Sequence, residues 1–256
     1  MKLATWNVNS LRMRMPRVLE FLAQHEPDLL LLQETKSDPG AFGADELAAA
    51  GYAAAHHSAG RWAGVAVLAR GDALPADVSA GLAGEPADDE ARWVEATVGA
   101  LRVASVYVPN GRAVDSPTYA DKLRFLEAAA ERVGELAADG PFVLAGDFNV
   151  CPTDLDVYDP AAFAGSTHVT EPERERFRAI LDAGVVDAYR HLHPDEVGFT
   201  WWDYRAGHFH KKFGLRIDAV LMTPDLAGRL TSCGIDRNFR KGAKPSDHAP
   251  LLAEWG

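Results

Sequence analysis

A set of short apolar runs, each ending on a carboxylate or a carboxamide, constrains this chain more than any other feature. They are "KLATWNV" (2–8), "DLLLLQET" (28–35), "GVAVLA" (64–69), "WVEATV" (93–98), "LRVASVYV" (101–108), "FVLAGDFNV" (142–150), "RIDAVLMT" (216–223) and "APLLAEW" (249–255). Each has the length of a strand, and several are too continuously apolar for a strand with one face in water. They therefore predict sheets covered on both faces. Helical patterns lie between them at 15–25, 116–138 and 170–184. The second starts at Ser116-Pro117, and the third runs from Thr170 and Pro172 to Gly184, which are ordinary start and stop signals.

The pair 93–98 and 101–108 reads as a hairpin around Gly99-Ala100, so part of the sheet is antiparallel. No regular βαβ alternation is present, and two packed sheets flanked by helices are favoured over a Rossmann arrangement. No GxGxxG follows a strand and no Walker loop occurs, which removes the usual nucleotide-cofactor signals. The Gly/Pro-rich stretches 37–43, 71–91 and 151–166 read as loops too short to link domains, so one domain, residues 1–256, is expected.

No stretch approaches the ~18 consecutive apolar residues of a membrane span, and the N-terminus lacks a secretory pattern. A cytoplasmic protein, nucleoid-associated in a bacterium-like cell, acting as a monomer without a membrane partner, is the expectation. Cys151 and Cys233 lack CxxC spacing and read as buried free thiols. The His191/His193 and His208/His210 pairs have no accompanying cysteine or carboxylate set and read as loop histidines rather than a zinc site.

Charge is unevenly placed. The whole chain carries −11, yet residues 205–244 hold nine Lys/Arg against three Asp, a local +6 that leaves −17 elsewhere. Within this stretch and just before it, "FTWWDYRAGHFHKKFGLRIDAVL" (199–221) mixes aromatics with Arg205, Lys211, Lys212 and Arg216. A basic, aromatic edge on an acidic chain suits a polyanionic partner.

The strand ends carry the chemistry. Asn7 and Asn9 follow the first run, Glu34 and Lys36 the second, Asn110 and Arg112 come after Tyr107, and Asp147 and Asn149 close "VLAGDFN". Asp218 sits inside an apolar run, where an unpaired carboxylate would cost several kcal/mol and needs a partner. Asp247 and His248 are adjacent on an extended segment and point to opposite sides. The carboxylate that orients His248 must then come from elsewhere, and Asp218 is the best candidate. Hard oxygen ligands, Glu34 and Asn7 with Asp218 or Asp247, fit Mg²⁺, with Mn²⁺ as a substitute, better than Zn²⁺. The inventory suits phosphodiester hydrolysis.

"TWNVNSLR", "LLQETK", "VYVPNG", "GDFNVCPTDLD", "FTWWDYR", "GLRIDAVL" and "KPSDHAPL" occur in the order and spacing of the exonuclease III family of abasic-site endonucleases, and the chain resembles that family from about residue 1 to 255. The resemblance implies an α/β, four-layer αββα sandwich of two packed, mostly antiparallel or mixed sheets flanked by helices. It implies Mg²⁺-dependent cleavage of double-stranded DNA 5′ to abasic sites, with 3′→5′ exonuclease and 3′-phosphatase trimming of blocked ends.

By the same resemblance, Glu34, Asn7 and Asp247 are the metal-side residues, and Asp147 with Asn149 manages the attacking water. His248, oriented by Asp218, contacts the phosphate together with Tyr107 and Asn110. Asn9, Lys36, Arg112 and Lys122 join the basic-tract cations as DNA or phosphate contacts. Trp201, Leu215 and Ile217 wall a pocket for a flipped abasic sugar, too small for normal nucleotides. Some human-type relatives carry Asp in place of Asn9 and a bulky aromatic in place of Leu215.

Two other readings compete with this one. A phosphatase for small or lipid phosphoesters shares the Asn/Glu/Asp/His core but does not explain the basic tract. A silent DNA-binding module would lack a core residue, and none is lacking.

Overall fold

The structure, a computed structural model, describes residues 1–256. Two six-stranded sheets face each other. The first holds β1 (Lys2–Asn7), β2 (Leu29–Gln33), β3 (Tyr52–His57), β4 (Val65–Arg70), β11 (Leu230–Ile235) and β12 (Leu251–Trp255), in the order β11-β12-β1-β2-β4-β3. The second holds β5 (Ala76–Ala80), β6 (Trp93–Val98), β7 (Leu101–Tyr107), β8 (Phe142–Asp147), β9 (Val186–Asp187) and β10 (Asp218–Met222), in the order β5-β6-β7-β8-β10-β9. The main covering helices are α1 (Leu11–His25), α2 (Ala44–Ala49), α3 (Pro117–Asp139) and α5 (Glu171–Asp182). Shorter ones are α4 (Pro160–Phe163), α6 (Ala188–Leu192), α7 (His208–Lys211) and α8 (Pro224–Ala227).

Strand pleating explains the continuous apolar runs. In β2, Leu29 and Leu31 enter the core between the sheets, while Leu30 and Leu32 pack with Val18 and Phe21 of α1. In β8, Val143 and Ala145 face the central core, and Phe142 and Leu144 meet Phe125 and Leu126 of α3. Both faces of each central strand are dry, so neither shows a polar alternation. The result is the four-layer sandwich.

α3 and α5 start where the signals place them, whereas α1 starts at Leu11, ahead of the expected residue 15, with Ser10 Oγ accepting from Met13 N. Ser116 caps α3, and Thr170 forms a capping box with Glu173 at α5. The expected loop 71–91 contains a strand, β5, whose five residues are all exposed. An edge strand with no buried face has no hydrophobic period to read. No helix is long and apolar enough to cross a membrane.

Candidate active site

Sheet topology gathers the polar strand ends at one edge. β1 and β2 run parallel with Asn7 opposite Gln33, so Asn7 and Glu34 emerge together. β7 and β8 are parallel with Tyr107 opposite Asp147, and antiparallel β10 sets Asp218 opposite Asp147. β12 runs antiparallel to β1, which brings the segment before it, Asp247-His248, to the same edge. Gly146 lets β8 approach β7 here, since a Cβ at that position would lie 2.0 Å from Val106 O. Just past the strand ends Asn9, Glu34, Lys36, Arg112 and Asn149 take left-handed backbone conformations, which turn their side chains into the edge. Non-glycine residues held this way concentrate where geometry serves a site.

The carboxylates are wired to one another. Asn7 Nδ2 donates to Glu34 Oε1 at 2.8 Å and to Asp147 Oδ2 at 2.9 Å, while Asn7 Oδ1 accepts from Asn9 N. Asn7 thus links the two carboxylates through its Nδ2, while its Oδ1, the atom expected to face a metal, accepts one backbone N–H and keeps a second lone pair. Asp247, expected on the metal side, lies at the same cavity, and its two oxygens accept from Asn9 Nδ2 and Trp201 Nε1, each at 3.0 Å. The groups that converge are Glu34, Asp147 and His248, whose potential ligand atoms lie within 4.8 Å of one another.

His248 Nδ1 lies 2.8 Å from Asp218 Oδ2, the pairing expected from the cost of an unpartnered Asp218, and its Nε2 is 3.8 Å from Asp147. Burial alone would lower the His248 pKa, but Asp218 overrides it and the imidazole is raised to about 10. It is therefore cationic at neutral pH. Its folded pKa exceeds the unfolded ~6.5, so this stabilisation is complete below that value and is lost as pH rises through about 10. Asp218→Asn removes the largest influence that raises the imidazole and leaves burial opposed only by Asp147 and Asp247. The expected outcome is an imidazole pKa well below the native value, read directly by NMR titration of the His248 ring.

Asp147 is driven the other way. Burial, with Asp218 and Glu34 nearby, raises its carboxyl to about 8 despite the His248 charge. Such crowding of buried oxygen anions favours a divalent cation, and the oxygen donors of Glu34 and Asp147 suit a hard one. Burial also holds the Tyr107 hydroxyl well above its ordinary pKa, which keeps its proton available for donation.

Asn149 is more constrained than expected. Its Nδ2 donates to Val108 O, its Oδ1 accepts from Asn110 Nδ2, and its backbone N–H donates to Asp147 Oδ1. It therefore positions Asp147 and Asn110. These groups line a cavity of about 170 Å³ together with Trp201, Ile217 and His168. His168 was not singled out in the sequence. It lies 19 residues beyond Asn149, and only folding brings its Nδ1 within 2.5 Å of Asn149 O. Burial lowers the His168 pKa to about 4, so this ring is neutral and its Nδ1–H donates.

Several expected contacts are placed otherwise. Leu215 does not line the cavity; it packs behind it with Cys151, Val157 and Ile217. Lys122 is 0% exposed and bonded to Glu173, and Arg216 is 1% exposed between Asp156 and Asp187. Neither reaches solvent, so neither contacts DNA; both are interior ion-pair residues. Arg205 is exposed but folded onto Asp203, whereas Lys211, Lys212 and Arg112 are exposed without carboxylate partners. Lys36 Nζ bridges Glu34 Oε2 and Asn9 Oδ1, both at 2.7 Å. Neither HxH pair belongs to a group of three or more ligand side chains; His193 pairs with Glu196 at 2.9 Å through Nδ1, and its Nε2 lies 2.8 Å from Cys233 O.

A family model described as the endonuclease/exonuclease/phosphatase family matches residues 4–248. Exodeoxyribonuclease III of Haemophilus influenzae is 31% identical over 274 residues, covering 100% of both chains. Among solved structures, the 3′ phosphatase NExo from Neisseria, bound to a product DNA hairpin, is 40% identical with a TM-score of 0.97 over 100% of this chain and 99% of its own. An AP endonuclease from Archaeoglobus fulgidus is 36% identical with a TM-score of 0.95 at the same coverage.

Proposed function

Since the chain belongs to the endonuclease/exonuclease/phosphatase family, we propose that it is a DNA-repair phosphoesterase that uses Mg²⁺, with Mn²⁺ as a substitute. Its substrates in this reading are double-stranded DNA with abasic sites or blocked 3′ ends. The relatives named above carry exodeoxyribonuclease, 3′-phosphatase and AP-endonuclease activities in their names. The observation that carries the reading is the Glu34/Asp147/His248 convergence in a cavity that Tyr107, Asn110 and Asn149 also line. The reading takes the chain as a monomer, with residues 1–256 as a single domain.

In this mechanism Glu34 and Asp147 hold the metal side, and a bound Mg²⁺ would offset charge on the phosphoryl oxygens. Asp147, fixed by Asn7 and by the Asn149 backbone, orients the attacking water and receives its proton. The cationic imidazole of His248 and the Tyr107 hydroxyl donate to phosphoryl oxygens as charge builds on them. The P–O bond on the far side from the water breaks, and the departing 3′-oxygen takes a proton from solvent to become the strand's 3′-hydroxyl. Trp201 and Ile217 wall the small space for a sugar without its base or a terminal phosphate.

The test maps products from end-labelled duplexes carrying a tetrahydrofuran abasic analogue, a 3′-phosphate or an undamaged nick. Mg²⁺ is expected to give incision 5′ to the analogue and release of the 3′-phosphate, and EDTA to reduce both to background. Turnover in EDTA, or hydrolysis of small or lipid phosphoesters with none of DNA, would overturn the reading.

A further inference from the structure

We propose that the groove on the other side of Tyr107 is a nucleobase subsite, in which Trp62 stacks on the base of the nucleotide immediately 5′ to the scissile phosphate. The inference rests on the DNA reading above and assigns where the strand lies.

The catalytic cavity, about 170 Å³, is smaller than the ~300–1,000 Å³ usual for drug-sized ligands and leaves little room for a whole nucleoside. A second cavity of about 460 Å³ falls within that range. The two share Glu34, Tyr107 and Asn110. A strand running from one to the other therefore passes its phosphate over those residues, with the sugar-sized space on one side and the nucleoside-sized groove on the other.

Trp62 lines this groove and is 71% exposed, the most exposed of the large hydrophobic side chains. An indole left in water forgoes the burial that normally places it inside, and in a groove beside a phosphate site it offers a face for a planar ligand. Its loop is tied to the segment that carries Glu34. Thr35 N donates to Gly64 O at 3.1 Å, Lys36 N to Ala63 O at 2.8 Å and Gly60 N to Ser37 O at 3.2 Å. The platform is thus held in fixed relation to the reacting centre.

The groove lining balances three cations, Lys36, Arg92 and Arg112, against three carboxylates, Glu34, Glu90 and Asp121, the last paired with Arg124. Arg92 is committed to Glu90 and to Tyr107 O, and Lys36 to Glu34 and Asn9. Arg112 at the groove and Arg61, whose guanidinium lies 5.9 Å from the Trp62 ring centroid, have no carboxylate partner and remain free for backbone phosphates. Aromatic stacking tolerates any base, as an enzyme acting at strand ends of arbitrary sequence requires.

The test uses a duplex whose 3′-phosphate-bearing nucleotide is 2-aminopurine, a base whose fluorescence is quenched by stacking. In an Asp147→Asn background with Mg²⁺, binding is expected to quench it, Trp62→Ala to abolish the quench and Trp62→Phe to keep much of it. In the otherwise native enzyme, Trp62→Ala is expected to raise KM for the same 3′-phosphate duplex about 10- to 100-fold, with a much smaller change in kcat. An unchanged KM overturns the proposal. So does a raised KM with the quench intact, which would mean that Trp62 grips backbone rather than base. If the native enzyme hydrolyses no DNA at all, the underlying functional reading fails instead, and that result is separate from either of these.

Discussion

Asp147→Asn is expected to lower kcat on DNA by about 10²–10⁴-fold, the usual contribution of a positioned proton acceptor, with a much smaller change in KM. The substitution keeps the shape of the side chain but turns one of its two acceptor oxygens into an NH2, so it can accept from only one of Asn7 Nδ2 and the Asn149 N–H, and the loss reads the missing charge together with that hydrogen bond. The same variant is expected to be more stable than the native protein when both are free of metal. Burial raises the Asp147 pKa from 3.8 to about 8, so the unfolded chain releases this proton more readily. Native stability is therefore lost as pH rises between those values. Removing the ionisable group removes that penalty. Thermal melts in EDTA at pH 8 should place the variant above the native protein, and Mg²⁺ should narrow the gap by stabilising the native carboxylates. A variant that keeps native kcat would end the assignment of Asp147 to the water.

Such a trade between stability and function explains part of what was readable in the sequence. Asp218 stood out because a carboxylate inside an apolar run is costly without a partner, while Glu34 and Asp147 stood out as the polar ends of apolar strands in blocks that resemble the family. The pairing of Asp218 with His248 followed from the same cost together with strand alternation. The four layers were legible because β2 and β8 are apolar on both faces. The cations were not legible. Lys122 and Arg216 look like DNA contacts in sequence, yet their partners lie 51 and 60 residues away, and no local pattern reports an ion pair closed by tertiary folding. Trp62 and His168 were missed for the opposite reason. Each sits in a loop with no period, and its role depends on which strand ends the fold places beside it.

Lys122→Met is expected to destabilise the protein by about 3–5 kcal/mol, a fall in Tm of roughly 6–20 °C, because it leaves Glu173 buried without its cation. Lys122 Nζ donates to Glu173, to Thr167 Oγ1 and to the Asn149 and Asn110 carbonyls. Burial alone would raise the Glu173 carboxyl, but the Lys122 charge and the Thr170 and His168 donors hold it below its ordinary value. Stability from Glu173 is therefore present at neutral pH and lost as pH falls through its lowered folded pKa, below the ordinary ~4.3. In Lys122→Met that acid-side loss should weaken or reverse, which pH-dependent melts would show. Replacing Glu173 with Met as well removes the stranded charge, so the double variant should recover part of the stability. Activity should not recover with it. Asn149 positions Asp147, and Asn110 lines the same cavity, so both would still lack the ammonium that fixes their backbone. A double variant with native stability but reduced kcat would place Lys122 as a positioning residue behind the site. Native kcat in that variant would reduce it to an ion pair of the core.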